Sequence, residues 1–111
     1  MIPADARLMR ICVNTSDHWR GKPLYEAIVT TARALSIAGA SVFPVALSYG
    51  SGRQIHDGSG DYGFVDLPVV IEVVDAPDRI DALIAGLGAM IAEALVTVES
   101  VRVLHYSHEP R

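Results

Sequence analysis

Residues 67–75 read Leu-Pro-Val-Val-Ile-Glu-Val-Val-Asp and carry the strongest strand signal in the chain. β-branched side chains dominate this run, and such side chains pack well on the pleated surface of a sheet. Over residues 69–74 the two alternating sets of side chains are both largely apolar, with Glu72 as the exception. Because successive side chains of a strand point to opposite faces, both faces of this strand are expected to be covered.

Three elements are predicted before this strand. Residues 7–13 form a first strand, which after Arg7 is apolar on both sides apart from Arg10. A helix begins at Pro23, where the missing N–H is harmless, and Gly39 is its stop signal. Residues 41–47 form a second strand, in which a proline indicates an edge position or a bulge.

A second helix and a last strand are predicted after residues 67–75. Asp75 is expected to cap the helix, with Pro77 in its first turn. An apolar stripe at helical spacing marks the buried face, namely Ile80, Leu83, Ile84, Leu87 and Ile91. The last strand is predicted over 101–106, after a short apolar segment at 95–98.

The predicted order, strand-helix-strand-strand-helix-strand, is that of an α+β, ferredoxin-like βαββαβ sandwich. Right-handed crossovers place the first and third strands at the centre of a four-stranded antiparallel sheet, with both helices on one face. The other face is bare yet largely apolar, so we expect a second subunit to cover it. Residues 1–111 are expected to form one domain.

Composition excludes several classes of protein. The chain has 111 residues, of which half are apolar, and a formal net charge of −4. Nucleic-acid surfaces need clustered Lys and Arg, and the single lysine here is Lys22. The lone Cys12 fits a reducing compartment, and no apolar run approaches the roughly 18 residues of a membrane span. A cytoplasmic protein without nucleic-acid partners or membrane insertion is expected.

Residues 48–65 form a long glycine-rich connection, in which five of the nine glycines of the chain fall. Long loops without secondary structure are uncommon in compact domains and are usually functional or disordered. Gly50 and Gly52 could let backbone N–H groups approach an anion, and Arg53 could grip a carboxylate or phosphate. Plain flexibility and a solvated arginine are the alternatives. Tyr49 and His56 complete the candidate ligand-binding residues of this loop.

A polar loop over 14–21 precedes the first helix and offers a second set of candidates. Backbone N–H groups at the start of a helix point outward and favour anions. Arg20 and Lys22 are therefore candidate anion ligands, although a lysine at this position often only faces water. Trp19 could stack on a base, but packing against the protein is the favoured interpretation.

Metal binding and catalysis find little support in the sequence. His105 and His108 are three residues apart, and a strand followed by a tail does not bring such a pair onto one face. His56 and Asp57 lack a nucleophile in a recognisable motif, and a glycine-rich loop is a poor platform for catalysis. We therefore predict neither a metal site nor a catalytic site, and no enzyme.

Three segments together resemble one family. They are residues 21–29 (Gly-Lys-Pro-Leu-Tyr-Glu-Ala-Ile-Val), residues 38–43 (Ala-Gly-Ala-Ser-Val-Phe) and the strand at 67–75. They are similar to the uncharacterised PII-like proteins called domain of unknown function 190, and residues 95–101 resemble that family's end. The most specific piece is Gly-Lys-Pro-Leu-Tyr-Glu-Ala.

This resemblance implies a homotrimer like the nitrogen regulatory PII proteins. In those proteins a mobile loop between the second and third strands reaches a target protein, and an adenine nucleotide binds between subunits at the base of that loop. PII proteins also hold phosphates in a glycine-rich, basic turn before the last strand. Residues 95–100, taken here as that turn, contain no glycine, Lys or Arg. The positive groups would then come from Arg20, Lys22 or Arg53.

The resemblance therefore implies a trimeric regulatory protein that binds a small anionic effector, with an adenine nucleotide as one example. The effector would order loop 48–65 and so change affinity for a partner, such as a membrane transporter or channel. The alternative is a divalent-metal-binding trimer resembling the copper-tolerance protein CutA. Its ligands would come from the four histidines, His18, His56, His105 and His108.

Overall fold

The computed structural model describes residues 2–45, 47–49, 55–57 and 67–105. The sheet strands and helices are, in order, β1 (Asp5–Asn14), β2 (His18–Trp19), β3 (Lys22–Pro23), α1 (Leu24–Ala34), β4 (Ala40–Pro44), β5 (Leu47–Tyr49), β6 (Ile55–Asp57), β7 (Pro68–Asp75), α2 (Pro77–Leu87), a 3₁₀ turn (Gly88–Ile91) and β8 (Leu95–Arg102).

The main sheet has four antiparallel strands in the order β4-β7-β1-β8. The first and third predicted strands, β1 and β7, therefore lie at the centre, as expected for the α+β, ferredoxin-like arrangement. Eight residue pairs join β1 to β7, from Arg7 opposite Asp75 to Asn14 opposite Pro68. The proline of the second predicted strand, Pro44, ends β4 on the edge of the sheet.

Both helices contribute to one apolar core against the same face of this sheet. The buried strand residues alternate along β1 and β7, as the period of two requires. Ile28 of α1 and Ile80 and Leu83 of α2 are at most 1 % exposed and lie in the same cluster. Burying one such side chain contributes about 1.5–3 kcal/mol. The central strand residues of the core are Met9, Ile11, Val13, Val69, Ile71 and Val73.

Helix α1 ends at Ala34, five residues before the predicted stop at Gly39. Ser36 adopts a left-handed conformation with φ of 58°, which ends the helical path. The Arg79 guanidinium, from the start of α2, donates hydrogen bonds to the carbonyl oxygens of Leu35 and Ser36. A left-handed Ser36 and a long-range contact from Arg79 therefore mark the stop, rather than the glycine.

Asp75 does not cap α2, because the helix begins after Ala76 and no side chain caps it. The carboxylate is 5 % exposed at the end of β7. Its Oδ2 accepts a hydrogen bond from the backbone N–H of Ala38 at 3.0 Å, and its Oδ1 accepts one from Ala76 at 2.7 Å. Asp75 thus fastens the α1–β4 connection to the sheet.

The last strand, β8, spans Leu95–Arg102, so the prediction of 101–106 was wrong. Residues 95–102 pair along β1 from Cys12 back to Asp5. Most of the β8 side chains are exposed because the strand lies on an edge, and this weakens its sequence pattern. Residues 95–100 are consequently strand rather than the turn compared with PII proteins. The segment that does precede β8, residues 88–94, has one glycine, Gly88, and no Lys or Arg.

Candidate functional site

Residues 18–23 form a tight hairpin where the sequence predicted an irregular loop. His18 pairs with Pro23 and Trp19 pairs with Lys22. The two residues between them, Arg20 and Gly21, have φ values of 51° and 85°. Two successive positive φ angles are the mark of a type I′ turn, whose twist matches that of two-residue hairpins. Gly21 supplies the second of these angles without strain.

The hairpin presents two cations beside an aromatic ring. Trp19 is half-buried and packs against the hydrophobic core, which agrees with the favoured interpretation of this residue. The Arg20 guanidinium carbon lies 5.2 Å from the centroid of the Trp19 ring, within the range of a cation–π contact. Arg20 and Lys22 are both exposed, one in the turn and one on the strand after it. This tip can therefore offer positive charge to an anion in solution.

The segment between β1 and the hairpin is held by a compact set of hydrogen bonds. The backbone N–H of Asn14 donates to Oδ2 of Asp17 at 2.9 Å, and the backbone N–H of Asp17 donates to the carbonyl of Asn14 at 3.0 Å. The carbonyl of Asp17 accepts a hydrogen bond from the backbone N–H of Leu24 at 2.7 Å. These contacts fix the hairpin to both β1 and the first residue of α1.

The glycine-rich connection leaves and re-enters the sheet at the same end. Where it re-enters, the backbone N–H of Thr15 donates to the carbonyl of Leu67 at 2.8 Å, and the N–H of Leu67 donates to Oγ1 of Thr15 at 3.0 Å. Where it leaves, the N–H of Val45 donates to the carbonyl of Pro68 at 3.0 Å. The segment before the hairpin and the two ends of the connection therefore lie at the same end of the sheet.

Within the connection, β5 and β6 form a short antiparallel ladder. Tyr49 is opposite Ile55 and Ser48 is opposite His56. Two of the predicted site residues, Tyr49 and His56, thus occupy neighbouring positions on facing strands. The other three, Gly50, Gly52 and Arg53, lie outside the residues that the structure describes.

Among the described residues, no three His, Cys, Asp or Glu side chains are grouped so that they could hold a metal ion. His18 uses one ring nitrogen locally, since Nδ1 lies 2.6 Å from the carbonyl oxygen of Ser16 and donates to it. Within the same described ranges, no helix is long and apolar enough to cross a membrane.

Within the part of the chain that the structure describes, the sheet face opposite the helices is open. Its side chains follow from the strand register, because directly paired residues share a face. One row across the sheet is apolar and runs through Phe43, Val70, Cys12 and Leu95. Phe43 is 48 % exposed and Leu95 is 65 % exposed. We call this surface the open face; its other central residues are Leu8, Arg10, Ser41, Glu72, Val74, Thr97 and Glu99.

A charged cluster lies in the middle of the open face, and the sequence did not predict it. Arg10 of β1 donates from Nε to Glu72 of β7 at 2.9 Å and from Nη1 to Glu99 of β8 at 2.6 Å. The hydrogen bonds to Glu72 and then to Glu99 raise the pKa of Arg10. The three side chains are 42 %, 34 % and 54 % exposed, in the order Arg10, Glu72, Glu99.

An open groove between α1 and β4 was also missed, because it forms only when the helix packs beside the edge strand. Its volume is about 250 Å³. Arg33 is the charged residue of the lining, which otherwise consists of Val29, Ala32, Ile37, Ala38, Gly39 and Ala40. The groove lies near the C-terminus of α1, whereas the hairpin lies at the start of that helix.

The chain has a PII-like α+β fold. This fold is defined by the order of the sheet strands, the placement of the helices and the long connection between the second and third sheet strands. The model of the family DUF190, described as an uncharacterised ACR, matches residues 6–103. The chain belongs to this family. A UPF0166 protein of Aquifex aeolicus is 27 % identical over 99 residues, which cover 89 % of this chain and 93 % of that relative.

Solved structures of PII-like proteins share the fold. CPII, a nitrogen regulatory PII-like protein from Thiomonas intermedia bound to ADP, AMP and bicarbonate, gives a TM-score of 0.69 at 13 % identity, covering 89 % of this chain and 88 % of that one. A putative PII-like signalling protein from Thermus thermophilus gives 0.67 at 16 % identity, covering 93 % of each chain.

A CutA structure is also similar. CutA from Synechococcus elongatus gives a TM-score of 0.59 at 17 % identity, covering 92 % of this chain and 81 % of that one. At such identities the likeness concerns the fold alone.

Proposed function

We propose that this chain is the subunit of a trimeric PII-like regulatory protein without catalytic activity. It binds a small anionic effector beside the hairpin and acts on a partner protein through loop 48–65. Arg20 and Lys22 supply positive charge from the hairpin, and Tyr49, Gly50, Gly52, Arg53 and His56 are the candidate ligands from the loop. A transporter or channel in a membrane is one kind of partner that such a loop could reach.

The observation that carries this proposal is the pair of hydrogen bonds between Thr15 and Leu67. They join the segment before the hairpin to the residue that ends the loop. An anion held by the hairpin therefore lies at the base of the loop, where it can favour one loop state over another. A ligand that contacts both the hairpin and the loop can bind one loop state more tightly than another, and a switch requires this difference in affinity.

The open face supports the trimeric part of the proposal. Monomeric proteins rarely expose large contiguous apolar patches, and here Phe43 and Leu95 are among the exposed large hydrophobic residues. A neighbouring copy that covers this face would bury the apolar row and bring the hairpin of one subunit near the next. The effector cleft would then be completed by assembly.

The choice of effector rests on charge and on one structural neighbour. The exposed cations of the hairpin favour an anion, and Trp19 stands next to Arg20 at the tip. CPII binds ADP, AMP and bicarbonate. We therefore propose an adenine nucleotide as the first effector to test, followed by bicarbonate.

Isothermal titration calorimetry of the full chain with ATP, ADP, AMP, cyclic nucleotides and bicarbonate tests the proposal. Arg20→Asn is the informative variant, because it removes the guanidinium while creating the Asn-Gly sequence that type I′ turns prefer. Lys22→Gln is its companion on the strand. We expect each variant to weaken binding by about ten-fold, the loss of one hydrogen bond to a charged group.

Arg102→Gln is the matched control. Arg102 is exposed and lies opposite Asp5, at the far end of β1, roughly 30 Å of strand from Asn14. It should bind as the wild type does. Absence of heat with every titrant from an assembled protein would contradict the anion site.

The CutA-like alternative would use histidine ligands, and no cluster within the described residues favours it. Elemental analysis of the purified protein, with thermal shifts in divalent ions, separates the two functions. A stoichiometric divalent metal would support the alternative instead.

A further inference from the structure

The charged cluster of the open face carries more negative than positive charge. One guanidinium, that of Arg10, serves two carboxylates, those of Glu72 and Glu99. Each subunit therefore brings one excess negative charge to this surface. Glu99 is the more exposed of the two carboxylates, at 54 % against 34 %, and it lies on the edge strand β8.

A second copy of this chain fits the open face by charge as well as by its apolar row. The same surface offers a half-exposed guanidinium and a more exposed carboxylate, so neighbouring copies in a closed ring can share ion pairs between Arg10 and Glu99. Sharing does not change the count of charges, however. In a ring of any size there is one guanidinium for every two carboxylates, and the excess remains one negative charge per subunit.

Covering this excess charge has a cost that a proton can remove. Burial disfavours the charged form of a carboxyl group, so it raises the pKa of a carboxylate that lacks a full partner. The described titratable groups on this face are Arg10 and Cys12 on β1, Glu72 on β7 and Glu99 on β8, while β4 presents Ser41 and Phe43. Among these chemical types, a carboxyl group whose pKa burial raises is the one that takes up a proton between neutral pH and pH 5.

We infer that assembly through the open face is linked to proton uptake at Glu99. The inference rests on the proposed assembly and adds its regulation. The sign follows from linkage. A carboxylate that assembly covers takes up a proton more readily than an exposed one, so the assembled state binds more protons and association strengthens as pH falls. We therefore expect association to be several-fold tighter at pH 5 than at pH 7.5.

Sedimentation equilibrium of the full chain at pH 7.5 and pH 5, at two salt concentrations, tests this inference. Glu99→Gln removes the excess charge, so it should associate more tightly than the wild type at pH 7.5 and show little dependence on pH. Glu93→Gln is the control, because Glu93 is exposed in the turn before β8. It should keep the pH dependence of the wild type, and both variants retain all four histidines of the chain.

The outcomes separate the inference from the assembly it rests on. Proton uptake at Glu99 is overturned if the wild type assembles equally at both pH values. It is also overturned if Glu99→Gln keeps the full pH dependence. Either result leaves the proposed trimer standing. Association that responds to salt but not to pH assigns the neutralisation to a counterion and overturns proton uptake as well. A chain that stays monomeric throughout overturns both the inference and the proposed trimer.

Discussion

Thr15 and Leu67 exchange two hydrogen bonds across 52 residues of sequence, one from each backbone N–H. One acceptor is the Leu67 carbonyl and the other is Oγ1 of Thr15. Through this pair, the end of the long connection is held against the segment that begins the hairpin. The segment before the hairpin and the residue that follows the long connection are therefore joined at one end of the sheet, although they are distant in sequence.

Thr15→Val should weaken this junction while keeping the shape of the side chain. The N–H of Leu67 loses its acceptor, and a lost hydrogen bond of this kind costs about 1 kcal/mol. Urea unfolding should show this loss, and the effector affinity should fall as well if the junction couples the two segments. Thr15→Ser keeps the oxygen and should match the wild type. Equal stability of all three proteins would show that the hydrogen bond contributes nothing.

Asp75→Ala should be among the more damaging changes of a polar residue. It leaves the N–H groups of Ala38 and Ala76 without the carboxylate that accepts from both, in a place where the side chain is 5 % exposed. A hydrogen bond to a charged group contributes about 1.5–3 kcal/mol, so we expect the free energy of unfolding to fall by about 2 kcal/mol or more. Asp75→Asn keeps one carbonyl oxygen and should lose about half as much. Equal losses for the two variants would contradict the two-acceptor role.

Gly21→Ala should strain the hairpin. The φ of Gly21 is 85°, and a side chain in the left-handed region costs about 1–2 kcal/mol. Arg20→Asn should instead leave stability within about 0.5 kcal/mol of the wild type, because asparagine suits that turn position and the lost cation–π contact is exposed. Thermal unfolding of the two variants compares them directly. A stable Gly21→Ala protein would show that this turn is not rigid.

Leu95→Lys should weaken assembly while leaving the subunit folded. The side chain is 65 % exposed on the open face, so a charge there costs little in the monomer but disrupts the apolar row that a neighbouring copy would cover. Light scattering after size exclusion should report a smaller particle than for the wild type. Leu104→Lys is the matched control, since Leu104 is 85 % exposed just after β8 and should assemble normally. Two variants of equal mass would contradict assembly through the open face.

Elements defined by local apolar periodicity were predicted well. The run at 67–75 became β7 at Pro68–Asp75, and the stripe after it became α2 at Pro77–Leu87. Their side chains alternate or recur with the period that burial imposes. The central position of β1 and β7 followed from crossover handedness, which is a general rule of chain topology.

Features that depend on long-range contacts were predicted poorly. The carbonyl of Ser36, just after α1, accepts a hydrogen bond from Arg79, 43 residues away, and the role of Asp75 depends on Ala38. The edge strand β8 has too few buried side chains to show a clear alternation. The Arg10 cluster exists only once the register joins three strands.

The candidate site was predicted in part. Arg20 and Lys22 were chosen because they stand at the start of a helix, and they proved to share one hairpin. The sequence signal for this hairpin was Gly21, which suits a tight turn after Arg20. The two strands are only two residues long, so they show no alternation of polar and apolar side chains. The contact between Thr15 and Leu67 had no signal in the sequence.

The central claim is that an anion at the hairpin controls loop 48–65. Hydrogen–deuterium exchange of the full chain, with and without a saturating adenine nucleotide, tests it most directly. We predict slower exchange of loop amides in the wild type when the nucleotide binds, and no such change in Arg20→Asn at the same concentration. Nucleotide that binds to the wild type while loop exchange stays unchanged would contradict the claim.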